Sequence, residues 1–128
     1  NITGIVFGEN SNLRTISANA FQLNSKVTYA EFPKTLQTIY ANAFSSCWKL
    51  GNLKFLSVSA PVLENESVFG LEYNQWVGRD SQQRIVYVSK DAVGYEENLW
   101  NTLFDDSRSK TDSSGKVTYY NFTLSKTL

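Results

Sequence analysis

Side chains that could carry out catalysis or bind a metal are few in this chain of 128 residues. It contains no histidine, which excludes a histidine-based triad, a histidine general base and histidine metal ligation. Its single cysteine, Cys47, excludes an internal disulfide and a cysteine-cluster zinc site. Gly4 and Gly8 are too sparse for a phosphate-binding loop. The residue inventory therefore argues against nucleophilic, zinc and nucleotide chemistry.

Carboxylates that lie close together in the sequence are the remaining candidates for chemistry. They occur as Glu64/Glu66, Glu96/Glu97 and Asp105/Asp106. Such pairs can serve as acid and base or as calcium ligands, but neighbouring carboxylates on an exposed helix or loop are more often solvated surface. We predict that the protein is not an enzyme, with no catalytic residue, no metal site and no cofactor.

Charge and hydropathy exclude two further classes of partner. Twelve basic and twelve acidic residues give a net charge of zero, so the total shows no footprint for nucleic acid or an anionic membrane. The sequence holds no apolar run long enough to span a bilayer, and we expect no membrane insertion. It begins without methionine and shows no leader pattern, as expected of a mature chain or a fragment. Its length suits a single domain.

A short phrase occurs twice in the first half of the chain. "ISANAF" at Ile16–Phe21 returns as "IYANAF" at Ile39–Phe44, an offset of 39 − 16 = 23 residues. The leucines three positions before each phrase, Leu13 and Leu36, keep the same offset. A fixed period of this length is the signature of a repeat architecture. One unit cannot bury its own apolar side, whereas stacked units bury one another's.

A second pattern, apolar-x-x-apolar-x-apolar, occurs between the phrases. Its copies begin at Ile2, Val27 and Leu50. The last two apolar positions are two residues apart and therefore share one face of an extended chain. We predict short parallel strands that include Ala30–Phe32 and Leu53–Phe55. The phrase itself lacks two-residue alternation and is interpreted as a turn or short helical piece on the opposite side.

The two patterns together resemble a known family of repeats. Leu13-Arg-Thr-Ile-Ser-Ala-Asn-Ala-Phe21, followed by the stretch from Phe32-Pro33 to Cys47-Trp-Lys-Leu50, is similar to the leucine-rich repeats of BspA-type bacterial surface proteins. The resemblance implies an α/β fold, a right-handed leucine-rich-repeat solenoid with parallel strands and short helices or turns on the other side. It also implies a buried role for Cys47, which occupies the usual cysteine position of the repeat.

The resemblance continues less regularly to about residue 104. A degenerate repeat contains Val62-Leu63 and Val68-Phe69, and an insertion follows at Gly70–Gln83. A further strand is predicted at Ile85–Val88. From Ser89 and Asp91, both plausible N-caps, we predict an amphipathic helix that reaches Phe104 and closes the solenoid. Its apolar face would consist of Val93, Trp100, Leu103 and Phe104.

The sequence divides into a repeat domain at residues 1–104 and a C-terminal segment at residues 105–128. The part from Asp105 to Lys116 is polar and serine-rich, and we predict a flexible loop or linker there. Lys116–Leu124 has the β-branched and aromatic content of a strand. That strand would either pair back onto the repeat domain or belong to whatever follows.

Aromatic residues fall into two groups by their position in the repeat. Phe7, Phe21, Phe32, Phe44 and Phe55 occupy repeat positions and are predicted to lie in the core. Those between the repeat positions, with greater potential for exposure, are Tyr29, Tyr40, Trp48, Tyr73 and Trp76. Exposed tyrosine and tryptophan are enriched at binding hot spots, although ordinary packing remains the more common role.

Two surfaces are candidates for binding. Strand positions that point away from the core would present Tyr29, Glu31, Asn52 and Lys54, and the insertion would present Tyr73 and Trp76. The resemblance implies a cell-surface or secreted module that binds a protein partner, such as extracellular matrix or another cell surface, in adhesion. The alternatives are a structural spacer and a carbohydrate-recognition module of a larger secreted protein.

Overall fold

A computed structural model of the chain describes most of its residues. The described ranges are 4–7, 11–24, 26–65, 67–70, 84–104, 109–111, 114–115, 117–119 and 122–128. The strands are β1 Gly4–Val6, β2 Thr15–Ile16, β3 Tyr29–Phe32, β4 Thr38–Ile39, β5 Asn52–Phe55, β6 Val62–Leu63, β7 Arg84–Tyr87, β8 Ser109–Thr111, β9 Val117–Tyr119 and β10 Phe122–Ser125, with one helix, α1 Asn98–Leu103.

The main sheet is parallel and follows the repeat. Its strand order is β1-β3-β5-β7-β10, and every neighbouring pair runs in the same direction. β3 pairs with β5 at an offset of 23 residues, with Tyr29 opposite Asn52 and Phe32 opposite Phe55. The predicted parallel strands are confirmed, and the third begins at Arg84, one residue earlier than expected.

The opposite side of the coil contains the predicted turns and also short strands that the sequence did not indicate. A second parallel sheet, β2-β4-β6, lies there, with Thr15 opposite Thr38 and Thr38 opposite Val62. Each of these strands has only two residues, which is too short to show an alternating pattern. The leucine-x-x-isoleucine part of the phrase therefore forms a strand, and the residues after it form turns.

The asparagine of each phrase has a structural explanation in these turns. Asn19 and Asn42 have positive φ angles of 62° and 60°, a left-handed conformation that asparagine tolerates better than most residues. Successive turns also stack by backbone hydrogen bonds: the N–H of Asn19 donates to Ala41 O at 3.0 Å and that of Phe21 to Ala43 O at 2.8 Å. The repeated phrase therefore encodes a turn that pairs with its own next copy.

The core contains two columns of stacked phenylalanine rings. Phe7, Phe32 and Phe55 follow the main sheet, with centroid separations of 6.2 and 4.6 Å. Phe21, Phe44 and Phe69 follow the turns, at 5.1 and 5.4 Å. Phe32 and Phe44 join the columns edge to face at 5.6 Å. The predicted stacking of Phe21 on Phe44 is confirmed, although Phe7 and Phe21 are only partly buried.

The helix after β7 is shorter than predicted. It spans Asn98–Leu103, its N-cap is Glu97, and neither Ser89 nor Asp91 begins it. Val93, which the sequence predicts on the buried face of the helix, lies outside the helix and is exposed. Its backbone forms a parallel bridge with Ser59. Gly94 follows with a φ angle of +91°, which is not a helical conformation, and lies close to Ala60.

The predicted apolar positions of α1 itself are buried as expected. Trp100 and Leu103 lie in the core, and Phe104 packs against it. The Trp100 ring contacts Phe55 at 5.1 Å and Phe69 at 6.2 Å. Its Nε1–H donates to Pro61 O at 2.7 Å, so that the last ring of each column meets the same indole.

The C-terminal segment contains more strand than the sequence indicated. β8 lies within the predicted loop and pairs antiparallel with β9. The single strand predicted at Lys116–Leu124 corresponds to two strands, β9 and β10. β10 runs parallel to β7, with Phe122 opposite Arg84, which is the alternative in which the last strand pairs back onto the repeats.

Truncation of a central ring should test the phenylalanine columns. Phe44 is fully buried and contacts rings on three sides, so we expect Phe44→Ala to lower the free energy of unfolding by about 3–5 kcal/mol. Phe21→Ala at the partly exposed end should cost clearly less. Urea unfolding followed by tryptophan fluorescence measures both, and equal losses would contradict this arrangement.

Substitution of Gly94 should test the turn that separates the coil from α1. A Cβ atom at Gly94 would lie 3.1 Å from the Ala60 Cβ, and the positive φ angle adds backbone strain. We expect Gly94→Ala to cost about 1–3 kcal/mol. Gly115→Ala is the matched control, because φ there is +89° and a Cβ would meet nothing within 4 Å. A smaller loss at Gly94 than at Gly115 would refute the role of the Ala60 contact.

Candidate binding face

The outward side of the main sheet carries two columns of side chains. Register places Gly4, Tyr29, Asn52, Ile85 and Thr123 in one column and Val6, Glu31, Lys54, Tyr87 and Ser125 in the other. Between the columns, Ala30, Leu53 and Val86 are fully buried, whereas Ile5 and Leu124 at the two edges of the sheet are partly buried. We call these ten positions the outer face. It contains all four strand residues that the sequence proposed for binding.

A polar cluster occupies the middle of the outer face. Lys54 Nζ lies 3.6 Å from Glu31 Oε1, and the hydroxyl of Tyr29 donates to the same oxygen at 3.1 Å. Partial burial raises the pKa of Tyr29, and the hydrogen bond and charge of Glu31 raise it further. Both members of the ion pair are part-exposed, so the pair contributes less than about 1 kcal/mol.

Apolar side chains border this cluster and were missed by the sequence analysis. Ile85 and Tyr87 are half-buried on the rung after Lys54, and Val6 is exposed on the rung before Glu31. The sequence did contain a signal for these outward positions, because the strand predicted at Ile85–Val88 alternates between apolar core and outward residues as the other strands do. The insertion before it breaks the period of 23, which concealed the matching positions.

The other aromatic candidates lie away from the outer face or outside the described residues. Tyr40 follows β4 and is exposed, while Trp48 is half-buried in the turn before β5. Tyr73 and Trp76, the alternative binding residues, belong to residues 71–83, which lie outside the described ranges. The outer face is thus the candidate surface that the structure defines.

The paired carboxylates do not converge in the described part of the chain. Glu64 Oε1 accepts the backbone N–H of Ala41 at 2.7 Å, and Glu96 pairs with Lys126 at 3.3 Å. Glu97 is an exposed helix N-cap residue. Within the described ranges no group of His, Cys, Asp or Glu is suited to hold a metal ion. Glu66, Asp105 and Asp106 lie outside those ranges.

Cys47 is a packing residue, as predicted. It is fully buried, and its thiol donates to Phe21 O at 3.0 Å. Burial raises its pKa to about 11, and this outweighs the opposing effects of the Asn24 backbone N–H and the Arg84 charge. Because the thiolate is the reactive form, we expect this buried thiol to react slowly in the folded protein.

Arg84 is a buried charge at the end of the repeats. Its Nε–H donates to Leu50 O at 3.0 Å, and its guanidinium lies 4.0 Å from the ring centroid of Phe122. Burial lowers its pKa to about 9, although Cys47 acts in the opposite direction. The side chain joins the last regular repeat to the C-terminal strand β10 and is not available to a ligand.

Comparison with known families agrees with this geometry. The family model of the BspA type leucine rich repeat region (6 copies) matches residues 1–69, which is more than half of the chain. The chain therefore belongs to this family of repeat proteins. Its matched part contains β1 to β6 and ends at Phe69, the last ring of its column. No curated protein matches the chain, and no solved structure does.

The described residues contain one short helix only. None of them forms a helix with the length and apolar character needed to cross a bilayer.

Thiol chemistry should report on the burial of Cys47. We expect a disulfide reagent such as DTNB to modify the native protein at pH 8 at least about 10³-fold more slowly than the urea-unfolded chain, since reaction requires opening. The control is Lys49→Cys in a Cys47→Ala background, which places the thiol on an exposed position of the same turn. Comparable rates at positions 47 and 49 would contradict the buried location.

Proposed function

We infer that the chain is a right-handed solenoid whose open end is closed by α1. Crossovers between neighbouring parallel strands are right-handed in nearly all proteins, and the strands here follow one another along the sheet in chain order. α1 brings Trp100 and Leu103 against the last rung. A repeat array needs such a cover where no further repeat follows.

On this scaffold we propose a non-enzymatic module that binds another protein. Leucine-rich repeat domains in general mediate protein interactions, and the BspA-type family is associated with bacterial surface proteins. The proposal places the module at the cell surface or in a secreted protein, where it acts in adhesion to extracellular matrix or another cell.

The observation that supports this proposal is the composition of the outer face. A polar cluster at Tyr29, Glu31 and Lys54 is flanked by Val6 on one side and by Ile85 and Tyr87 on the other. Neighbouring strands lie about 4.8 Å apart, so five rungs give a continuous surface with tyrosines suited to hot-spot contacts. In a longer array, several such rungs would raise the overall binding affinity through multivalency.

A carbohydrate-recognition role is the second candidate, and one feature favours it. Tyr29 and Tyr87 lie in the two columns of the outer face and can offer aromatic surface to a sugar ring. A purely structural spacer would use neither tyrosine. Binding measurements separate the three possibilities.

A binding screen with paired variants tests the proposal. The immobilised chain is exposed to extracellular-matrix proteins and to a glycan array, and any positive result is repeated with Tyr29→Ala/Lys54→Glu. We expect this double variant to bind at least about 30-fold more weakly, as for loss of hot-spot contacts of about 2 kcal/mol.

The matched control is Tyr40→Ala/Lys49→Glu, which removes the same side-chain types from exposed positions off the outer face. It should bind as the parent chain does, and urea unfolding should confirm that both variants fold. Equal binding by the parent and both double variants would contradict the proposed face. A response on the glycan array alone would support the carbohydrate role, and no response on either would support the spacer.

A further inference from the structure

The guanidinium group of Arg84 is buried with most of its hydrogen-bonding groups unpaired. Only 2% of the residue is exposed. Of the five N–H donors of an arginine, the one on Nε donates to Leu50 O, whereas Nη1 and Nη2 have no hydrogen-bond partner in the described part of the chain. Within the described ranges no carboxylate forms an ion pair with this group. Burial of an unpaired charge costs free energy, so this group destabilises the packed state around it.

The strand that covers this charge is β10. Phe122 lies opposite Arg84 in the ladder between β10 and β7, and its ring centroid is 4.0 Å from the guanidinium carbon. β10 is the last strand of the main sheet in the described residues. On its other side, β7 pairs with β5. Separation of β10 would therefore remove the ring from the guanidinium and give its Nη atoms access to water.

Few side-chain contacts hold β10 in place. Phe122 is buried and packs edge to face on Phe69 at 5.8 Å, while Leu124 is only partly buried. The ion pair between Lys126 and Glu96, at 3.3 Å, is exposed to solvent and contributes little to stability. The strand thus gains modest apolar burial, and in return it covers an unpaired charge.

The coil next to β10 has its own supports. The Ile85 N–H donates to Gly51 O at 2.7 Å, which ties β7 to the preceding repeat. Trp100 of α1 contacts both Phe55 and Phe69 and covers the ends of the two phenylalanine columns. Segments with few buried contacts open at a lower free energy than the core of a protein. β10 can therefore separate from β7 while these contacts remain.

From these observations we propose that β10 is a strap that opens from β7 while the repeat coil stays folded, and that the unpaired guanidinium of Arg84 favours the open form. Thr123 and Ser125 belong to the outer face, so opening reduces this face from five rungs to four. It also uncovers the edge of β7 beside Ile85 and Tyr87. A partner that contacts the fifth rung would stabilise the closed form.

Amide hydrogen exchange of the full chain tests the opening without any substitution. The Val88 N–H donates to Ser125 O at 2.9 Å and reports on β10, whereas the Ile85 N–H donates to Gly51 O and reports on the coil. We expect Val88 to have a protection factor at least about 100-fold lower than that of Ile85. Its exchange should also depend little on urea below the unfolding transition, because local opening exposes little surface.

Substitutions of Arg84 test the role of its charge. Arg84→Met removes the charge and the unpaired donors at similar length, and it should raise the protection factor of the Val88 N–H about 10- to 100-fold. Arg84→Gln keeps polar donors without the charge and should act in the same direction. Lys126→Met is the matched control, since it removes a basic group from an exposed ion pair and should change the protection factor less than about threefold.

Two results would overturn the proposal. Equal protection of Val88 and Ile85 in the parent chain would show that β10 separates only when the whole coil unfolds. Protection of Val88 that is unchanged or lower in both Arg84 variants would show that the guanidinium does not favour opening. Neither readout requires a binding partner, so the strap is tested independently of the function of the outer face.

Discussion

Every rung of this coil depends on the next one to bury its phenylalanine rings. Successive rings in each column lie 4.6 to 6.2 Å apart, so that the central rings Phe32 and Phe44 have a neighbour on both sides. A single repeat would leave both of its rings exposed. The stacking also explains the regular period, because rings meet face to face only when each turn places the next phenylalanine directly over the last. The in-register strands and turns keep successive repeats aligned, and Cys47 links two repeats through its hydrogen bond to Phe21 O.

The two ends of the phenylalanine columns differ in how well their terminal rings are covered. At one end, Phe7 and Phe21 are only partly buried, because no ring lies beyond them in the described residues. At the other end, Trp100 contacts both Phe55 and Phe69, and Phe122 from β10 packs on Phe69 at 5.8 Å. Arg84 stacks on Phe122 and binds Leu50 O, so the irregular C-terminal segments are tied to the regular repeats through aromatic contacts.

The parallel ladder leaves the outer face of the main sheet available for interaction. On the main sheet, side chains alternate between core and solvent, so the outer face is free to vary without loss of the core. Beside β6 the chain itself occupies part of the next position in the ladder, with Val93 bridged to Ser59 and the Trp100 indole bound to Pro61 O. The outer face therefore offers recognition through side chains.

The sequence alone determined the repeat, the parallel strands, the core phenylalanines and the members of the outer face from β3 and β5. A period of 23 residues fixes which positions are equivalent, and alternation fixes which side they point to; both are local properties. The second sheet, the late start of α1 and the pairing of β10 with β7 could not be read in this way. Two-residue strands carry no alternation, and a bridge between Ser59 and Val93 joins residues 34 positions apart. Only tertiary packing decided those features, and with them the contribution of Ile85 and Tyr87 to the outer face.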